Sequence, residues 1–340
     1  MADKNKHDFF DKLQTLTENY LSHRKRKKRL KKEKQKRKNI ILDWVETFLW
    51  AVGMVLLINQ YLIQAYQIPS GSMIDTLLIG DHIFVNKIIY GPELLPGFGK
   101  VPSPIQPQRN DIIIFENPSY LGRGTVFNIA QRVIYMLTLA QVDIDRDESG
   151  EPRPHFLIKR AVGVGGDWLK TLNGNIIIRP AGDYQWYEEE ELFSQQGMNH
   201  NIVRLVDDSS YPSIRALGKA RAYAELRLPV PSHVQSAMSQ AARNPYIDPN
   251  ARDAATLEIL RGARPHERMY SVALSRINQG IYVPESRILP LGDNRDNSRD
   301  GRAFGPVHLS RVLGQGLIVY WPGDFGTRRF EAFSRIGLIR

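Results

Sequence analysis

Two serines flank one glycine in the stretch IPSGSMIDTL, residues 68–77, at the end of an apolar run. A serine hydroxyl is a weak nucleophile until a neighbouring base takes its proton. Pro69 fixes its own φ and biases Ile68 toward extended backbone, while Gly71 admits angles closed to other residues. The pattern predicts a tight turn leaving a strand, with Ser70 and Ser72 on it. Either serine could equally be a turn former that bonds its own backbone. The chain has no Cys, which removes thiol nucleophiles, thiolate zinc sites and disulfides. None of its eight His falls in a triad-like segment. A lysine can replace histidine as base when burial disfavours its charged form. Lys159 is the candidate, because it ends the apolar run Phe156-Leu157-Ile158, whereas most other lysines lie in a basic tail or on polar faces. Strand alternation puts it on the face of Leu157 and opposite Ile158 and Arg160. The competing reading is a surface lysine with its stem on the strand and its head in water. A third dense segment, LGDNRDNSRDGRAFGPV (291–307), interleaves Asp293, Asp296 and Asp300 with Arg295, Arg299 and Arg302. Taken alone it reads as a polar loop of mutually neutralised charges.

Metal and nucleotide chemistry find little support. No HExxH-type pair occurs. Residues 296–301 begin like a calcium loop, but the twelfth position is Val307, which offers no carboxylate. GVGGDW (163–168) has Trp168 where a dinucleotide fingerprint needs its third glycine. No metal and no cofactor are expected.

The elements that must position these groups can also be read. The chain has 340 residues and a net charge of +10, yet residues 24–38 alone hold twelve Lys/Arg against one Glu. The rest of the chain therefore carries about one negative charge, so the basicity is a tail and no nucleic-acid partner is expected. Behind the tail, Phe48–Ile58 contains no polar side chain, and Ile40–Ile63 reaches the roughly 20 residues of a membrane span. Trp44, Trp50 and Tyr61 fall where interfaces would lie. A buried core helix is the alternative. As an anchor, it puts residues 1–39 in the cytoplasm and those after about 65 outside it. No small-x-small cleavage pair follows the apolar core. From Gln67 onward short β-like runs alternate with turns, and residues 156–180 look like a meander with an Asn173-Gly174 turn. Residues 185–280 are polar, with helical stretches at roughly 233–243 and 252–277. The expected organisation is a basic tail (1–39), a transmembrane anchor (40–65), a β core (66–184 and 281–340) and an inserted α/β cap (185–280). The fold class is mainly β.

Four boxes, IPSGSMIDTLLIGD (68–81), RNDIIIF (109–115), IKRAVGVGGD (158–167) and GDNRDNSRDGRAFG (292–305), occur in this order behind the apolar span. In this they resemble the bacterial type I signal peptidases, membrane-anchored Ser–Lys proteases that cut signal peptides from exported proteins. The resemblance implies Ser72 as nucleophile and Lys159 as general base. It implies an oxyanion hole from the Ser72 N–H and the Ser70 hydroxyl. Ser298 would hydrogen-bond and orient the lysine amine, and Asp300 and Arg302 would form a supporting ion pair. Cleavage would follow small residues at the first and third positions before the scissile bond. Tyr66, Ile68, Pro69, Met73, Leu77, Ile83, Leu157 and Ile158 would wall the pockets, or serve simply as core. Residues 185–280 would be the family's variable second domain. The partners implied are preprotein signal peptides and the lipid bilayer of the inner (plasma) membrane, near the secretion translocon. The chain would be single-pass, with an extracytoplasmic catalytic domain. It departs from the pattern at Asp75 and Gly165, where the family usually has Pro, at Asn110, where it usually has Gly, and in showing one span where many members have two. A carboxylate at Asp75 facing the lysine would favour the charged amine. The competing functions are an inactive relative acting as a membrane scaffold and a different Ser–Lys protease.

Overall fold

The computed structural model describes residues 17–18, 20–29, 40–95, 98–148, 150, 153–241, 246–323 and 334–339. Much of the expected basic tail lies outside the described residues. Two compact units divide the chain at Val55/Leu56. In the first, residues 20–29 are helical. The helix α1 (Ile40–Tyr61) runs through this unit and ends in the second. Its 22 residues span about 33 Å at 1.5 Å per residue. It is apolar and long enough to cross a bilayer, and its most apolar window is not buried against the protein.

The strands of the second unit are β1 (Ile63–Gln67), β2 (His82–Asn86), β3 (Glu93–Leu95), β4 (Phe98–Lys100), β5 (Ile112–Glu116), β6 (Phe156–Gly163), β7 (Trp168–Leu172), β8 (Asn175–Arg179), β9 (Tyr187–Glu188), β10 (Ile281–Tyr282), β11 (Arg287–Leu291), β12 (Val307–His308), β13 (Val312–Trp321) and β14 (Gly337–Leu338). Eight form an antiparallel sheet in the order β1-β2-β13-β5-β6-β11-β12, with β14 on β13. Both faces of β5 are covered, which is why its sequence is a continuous apolar run rather than an alternating one. Ile112 and Ile114 pack with Tyr66, Ile68, Met73, Leu77 and Ile83, while Ile113 and Phe115 pack with Tyr90, Ile288 and Val312. The carboxylate of Asp81, fully buried, accepts from the N–H groups of Leu78 and Gly323 and pairs with Arg335. It thereby pins the C-terminal segment to the turn that follows the serines.

The expected meander differs in one respect. β7 and β8 do form a hairpin, and Asn173 and Gly174 both have positive φ, as its two-residue turn requires. β6, however, has β5 on one edge and β11 on the other, so β7 starts a separate sheet, β10-β7-β8-β9.

Helix α2 (Thr125–Leu137) fills the connection between β5 and β6. Between β9 and β10 lie α3 (Glu189–Gln195), α4 (Tyr211–Glu225), α5 (Ser232–Ala241), α6 (Pro249–Ala263) and α7 (Arg268–Gln279). The stretch expected to be helical over 252–277 is thus two helices. The break falls at Arg264 and Pro265, and Pro both lacks an N–H and disfavours helical angles in the residue before it. Asp248 caps α6 by accepting from the N–H groups of Asn250 and Ala251. A last single turn, α8 (Gly301–Phe304), lies within the charged segment 291–307.

Candidate active site

Ser72 stands in a single 3₁₀ turn, Gly71–Met73, directly after β1. Ser70 precedes it in extended backbone and is exposed, whereas Ser72 is 7% exposed. Lys159 lies on β6, paired with Ile113 of β5, and is 3% exposed. Its amine is 2.6 Å from Ser72 Oγ and 2.9 Å from the Ile158 carbonyl oxygen. The head of this lysine is therefore on the serine and not in water. Burial pushes the amine down to about 8, against a smaller opposing pull from the Asp300 and Asp293 carboxylates. Asp75 is exposed on the surface, and the carboxylates that act on the amine come from the charged loop instead. Ser70 Oγ is 3.5 Å from Ser72 Oγ.

The charged loop closes over this pair. Asp300 takes the Arg302 guanidinium in two hydrogen bonds of 2.8 and 2.9 Å and accepts the Gly292 N–H at 3.0 Å. The guanidinium holds the Asp300 carboxyl below its ordinary range despite burial that would raise it. Ser298 does not make the expected bond to the amine, whose hydrogen-bonding partners are Ser72 and Ile158. Its hydroxyl is buried without a partner among the described residues. It lies against Gly292, where a Cβ would come 2.3 Å from Ser298 Oγ and 2.6 Å from the Ser72 carbonyl oxygen. Only glycine allows loop and nucleophile to approach this closely. Asp293 forms a fully buried bidentate pair with Arg160 and accepts from Thr76.

A groove of about 460 Å³ runs from Ser72 and Lys159 along β6. Tyr66, Ile68, Pro69, Met73, Leu157 and Ile158 line it. Leu77 and Ile83 do not; both are completely buried behind its wall, in the core. β11 pairs with β6 only from Arg160 onward, so the edge of Phe156–Ile158 is left beside the groove. Residues without a sequence signature as pocket walls also line the groove, among them Gln131 and Tyr135 of α2. The apolar spacing of Val126, Ile129, Val133 and Leu137 was the available sign of that helix.

Two departures from the family pattern have local reasons. Asn110 has a φ of 76°, a region that Asn tolerates after Gly, and its side chain accepts from Arg160 at 2.8 Å. At Gly165 a Cβ would sit 2.6 Å from Glu285 Cα, so the neighbouring backbone excludes Pro here.

The profile of the family described as "Signal peptidase, peptidase S26" matches residues 41–321. Signal peptidase I of Aquifex aeolicus is 26% identical over 306 residues, covering 87% of this chain and 90% of its own length. That of Pseudomonas fluorescens is 24% identical over 323 residues, with coverages of 91% and 82%. That of Haemophilus influenzae is 26% identical over 303 residues, with coverages of 86% and 74%. With the profile spanning most of the sequence, from within α1 to the end of β13, the chain belongs to the signal peptidase family, peptidase S26.

Proposed function

We propose that this protein is a membrane-anchored serine endopeptidase that removes signal peptides from exported preproteins, with Ser72 as nucleophile and Lys159 as general base. The observation that carries the reading is a buried amine 2.6 Å from a serine hydroxyl, pushed down to about 8 by its surroundings. A neutral amine can take a proton that a charged one cannot. Ser72 Oγ attacks the scissile carbonyl carbon while its proton passes to Lys159 Nζ. The oxyanion forms against the Ser72 N–H and the Ser70 hydroxyl, each such donor being typically worth about 3–4 kcal/mol. The C–N bond then breaks, Nζ returns the proton to the departing nitrogen, and the acyl group stays on Ser72 as an ester. Water attacks the ester, giving its proton to Nζ, and the serine recovers that proton as the acid product leaves. The Asp300–Arg302 pair supports the dyad from the loop.

The edge of Phe156–Ile158 offers backbone groups to an extended peptide. Shallow walls of Tyr66, Ile68, Met73 and Leu157 suit small side chains such as Ala and exclude bulk. Residues 40–65 serve as a single anchor, with 1–39 cytoplasmic, the catalytic β core (66–184 and 281–340) extracytoplasmic near the translocon, and 185–280 as its cap. The test is processing of a preprotein by the purified protein in detergent, beside Ser72→Ala and Lys159→Ala. Cleavage by the unmodified protein alone supports the reading, and cleavage that persists in either variant rejects the dyad. No cleavage by the unmodified protein, across several preproteins and at alkaline pH, favours an inactive relative. Protection of residues 66–340 from protease added outside closed spheroplasts, whose outer face of the inner membrane is accessible, would reject the orientation.

A further inference from the structure

The Ser72 N–H belongs to the rigid peptide unit that it shares with the Gly71 carbonyl. In a trans unit the two bonds point in opposite directions, so whatever holds the carbonyl aims the N–H. The Gly71 carbonyl accepts from Asn294 Nδ2 at 3.0 Å, and the Ser72 carbonyl accepts from the Asn294 N–H at 3.1 Å. One residue thus grips the carbonyls on both sides of the serine nitrogen. Asn294 is buried, and its own Oδ1 has no hydrogen-bond partner among the described residues. Its placement comes from its backbone neighbours. The Val203 N–H donates to the Asp293 carbonyl at 2.9 Å, and the Arg295 N–H donates to the Val203 carbonyl at 3.0 Å, forming a parallel bridge around Asn294.

Arg295 adds a second tie. Its Nε donates to the Gly292 carbonyl at 2.9 Å, and its two terminal nitrogens donate to the Glu189 carboxylate, one of them at 2.7 Å. Glu189 opens α3, is 3% exposed, and also meets His200 Nε2 at 3.0 Å. Glu189 and Val203 both come from the stretch 185–280, for which the sequence suggests no role. We infer that the start of this inserted stretch aims the oxyanion-hole amide, with Glu189 acting through Arg295, and Asn294 acting on the Gly71–Ser72 peptide, as positioning residues. This rests on the proposed role of the Ser72 N–H. The carboxylate and guanidinium leave the loop two fixed points, and Asn294 lies between them.

The test uses the full chain in detergent with a fluorogenic peptide carrying Ala at the first and third positions before the scissile bond. Glu189→Ala and Asn294→Ala are expected to lower kcat about tenfold, less than the roughly hundredfold or more lost when an oxyanion donor is removed outright, with KM changed less than about twofold. Glu189→Gln keeps the shape and one acceptor for Arg295, and is expected to retain at least about a third of kcat. A peptide aldehyde of the same sequence adds Ser72 Oγ across its carbonyl, so the hemiacetal oxygen occupies the oxyanion position. Its affinity should weaken in step with kcat/KM, while affinity for the acid product stays within about twofold. An unchanged ratio of aldehyde to product affinity in all three variants overturns the inference, because general damage to the fold would weaken both alike. If Glu189→Ala does not fold, the same ratio in Glu189→Gln and Asn294→Ala decides. Ser72→Ala is assayed alongside. Residual cleavage in that variant means that the nucleophile assignment has failed, whereas abolished cleavage with unchanged ratios elsewhere removes this inference alone.

Discussion

Replacing Lys159 with Met should change stability with a sign that depends on pH. The amine's ordinary value is 10.5, and the folded protein brings it to about 8, chiefly by burial. That interval corresponds to roughly 3 kcal/mol. Because the folded value lies below the unfolded one, the unfolded chain binds the extra proton between about pH 8 and 10.5. Stability of the unmodified protein therefore rises with pH across that window. Below pH 8 the full cost of the buried charge is present; above 10.5 it is absent. Met never carries that cost, but it forfeits hydrogen bonds to Ser72 and Ile158, about 1 kcal/mol each at any pH. The variant should be more stable by about 1 kcal/mol at pH 7 and less stable by about 2 kcal/mol above pH 10.5. Urea unfolding of both proteins in the same detergent, at steps from pH 7 to 11, measures the difference with the titration of other groups cancelled. A difference that stays constant over this range would show that the amine keeps an ordinary value, and the general-base role would lose its physical support.

Other substitutions test the neighbouring contacts. Gly292→Ala would press a methyl onto Ser298 and the Ser72 carbonyl, so kcat should fall by about a hundredfold, and a second change, Ser298→Gly, which removes both Ser298 atoms that the methyl meets, should restore part of it in steady-state assays. Gly165→Ala collides with the Glu285 backbone away from the serine; thermal melts should show a loss of about 1–3 kcal/mol with kcat preserved. Arg160→Met leaves the buried Asp293 carboxylate without its partner, costing roughly 3–5 kcal/mol in denaturant titrations, and Asp293→Asn in the same chain should recover much of it.

The residues that could be read from sequence sit in short dense segments. A serine behind Pro and Gly, a lysine ending an apolar strand and a loop of alternating charge each carry a local signature, and the structure brings Ser72 and Lys159 together across 87 positions. The apolar character of β5 was equally legible, because two-sided burial writes itself as an unbroken run. What could not be read depends on pairing at a distance. Arg160 meets Asp293 from 133 positions away and Glu189 meets Arg295 from 106, and neither arginine differs in type from the exposed ones around it. The break between α6 and α7 was marked by Pro265 but hidden by helix-favouring residues on both sides. Leu77 and Ile83 show the opposite limit. Their apolarity fits a pocket wall or a core equally well, and only their depth separates the two.

The central claim is that Ser72 carries the acyl group during cleavage, and mass spectrometry of an acid-quenched reaction tests it most directly. Protein mixed with excess substrate peptide is quenched within one turnover and digested, and the peptide spanning residues 68–81 is examined. The account predicts an acyl mass increment on Ser72 that disappears in Lys159→Met. An increment on Ser70, or turnover with no increment on this peptide, would contradict it.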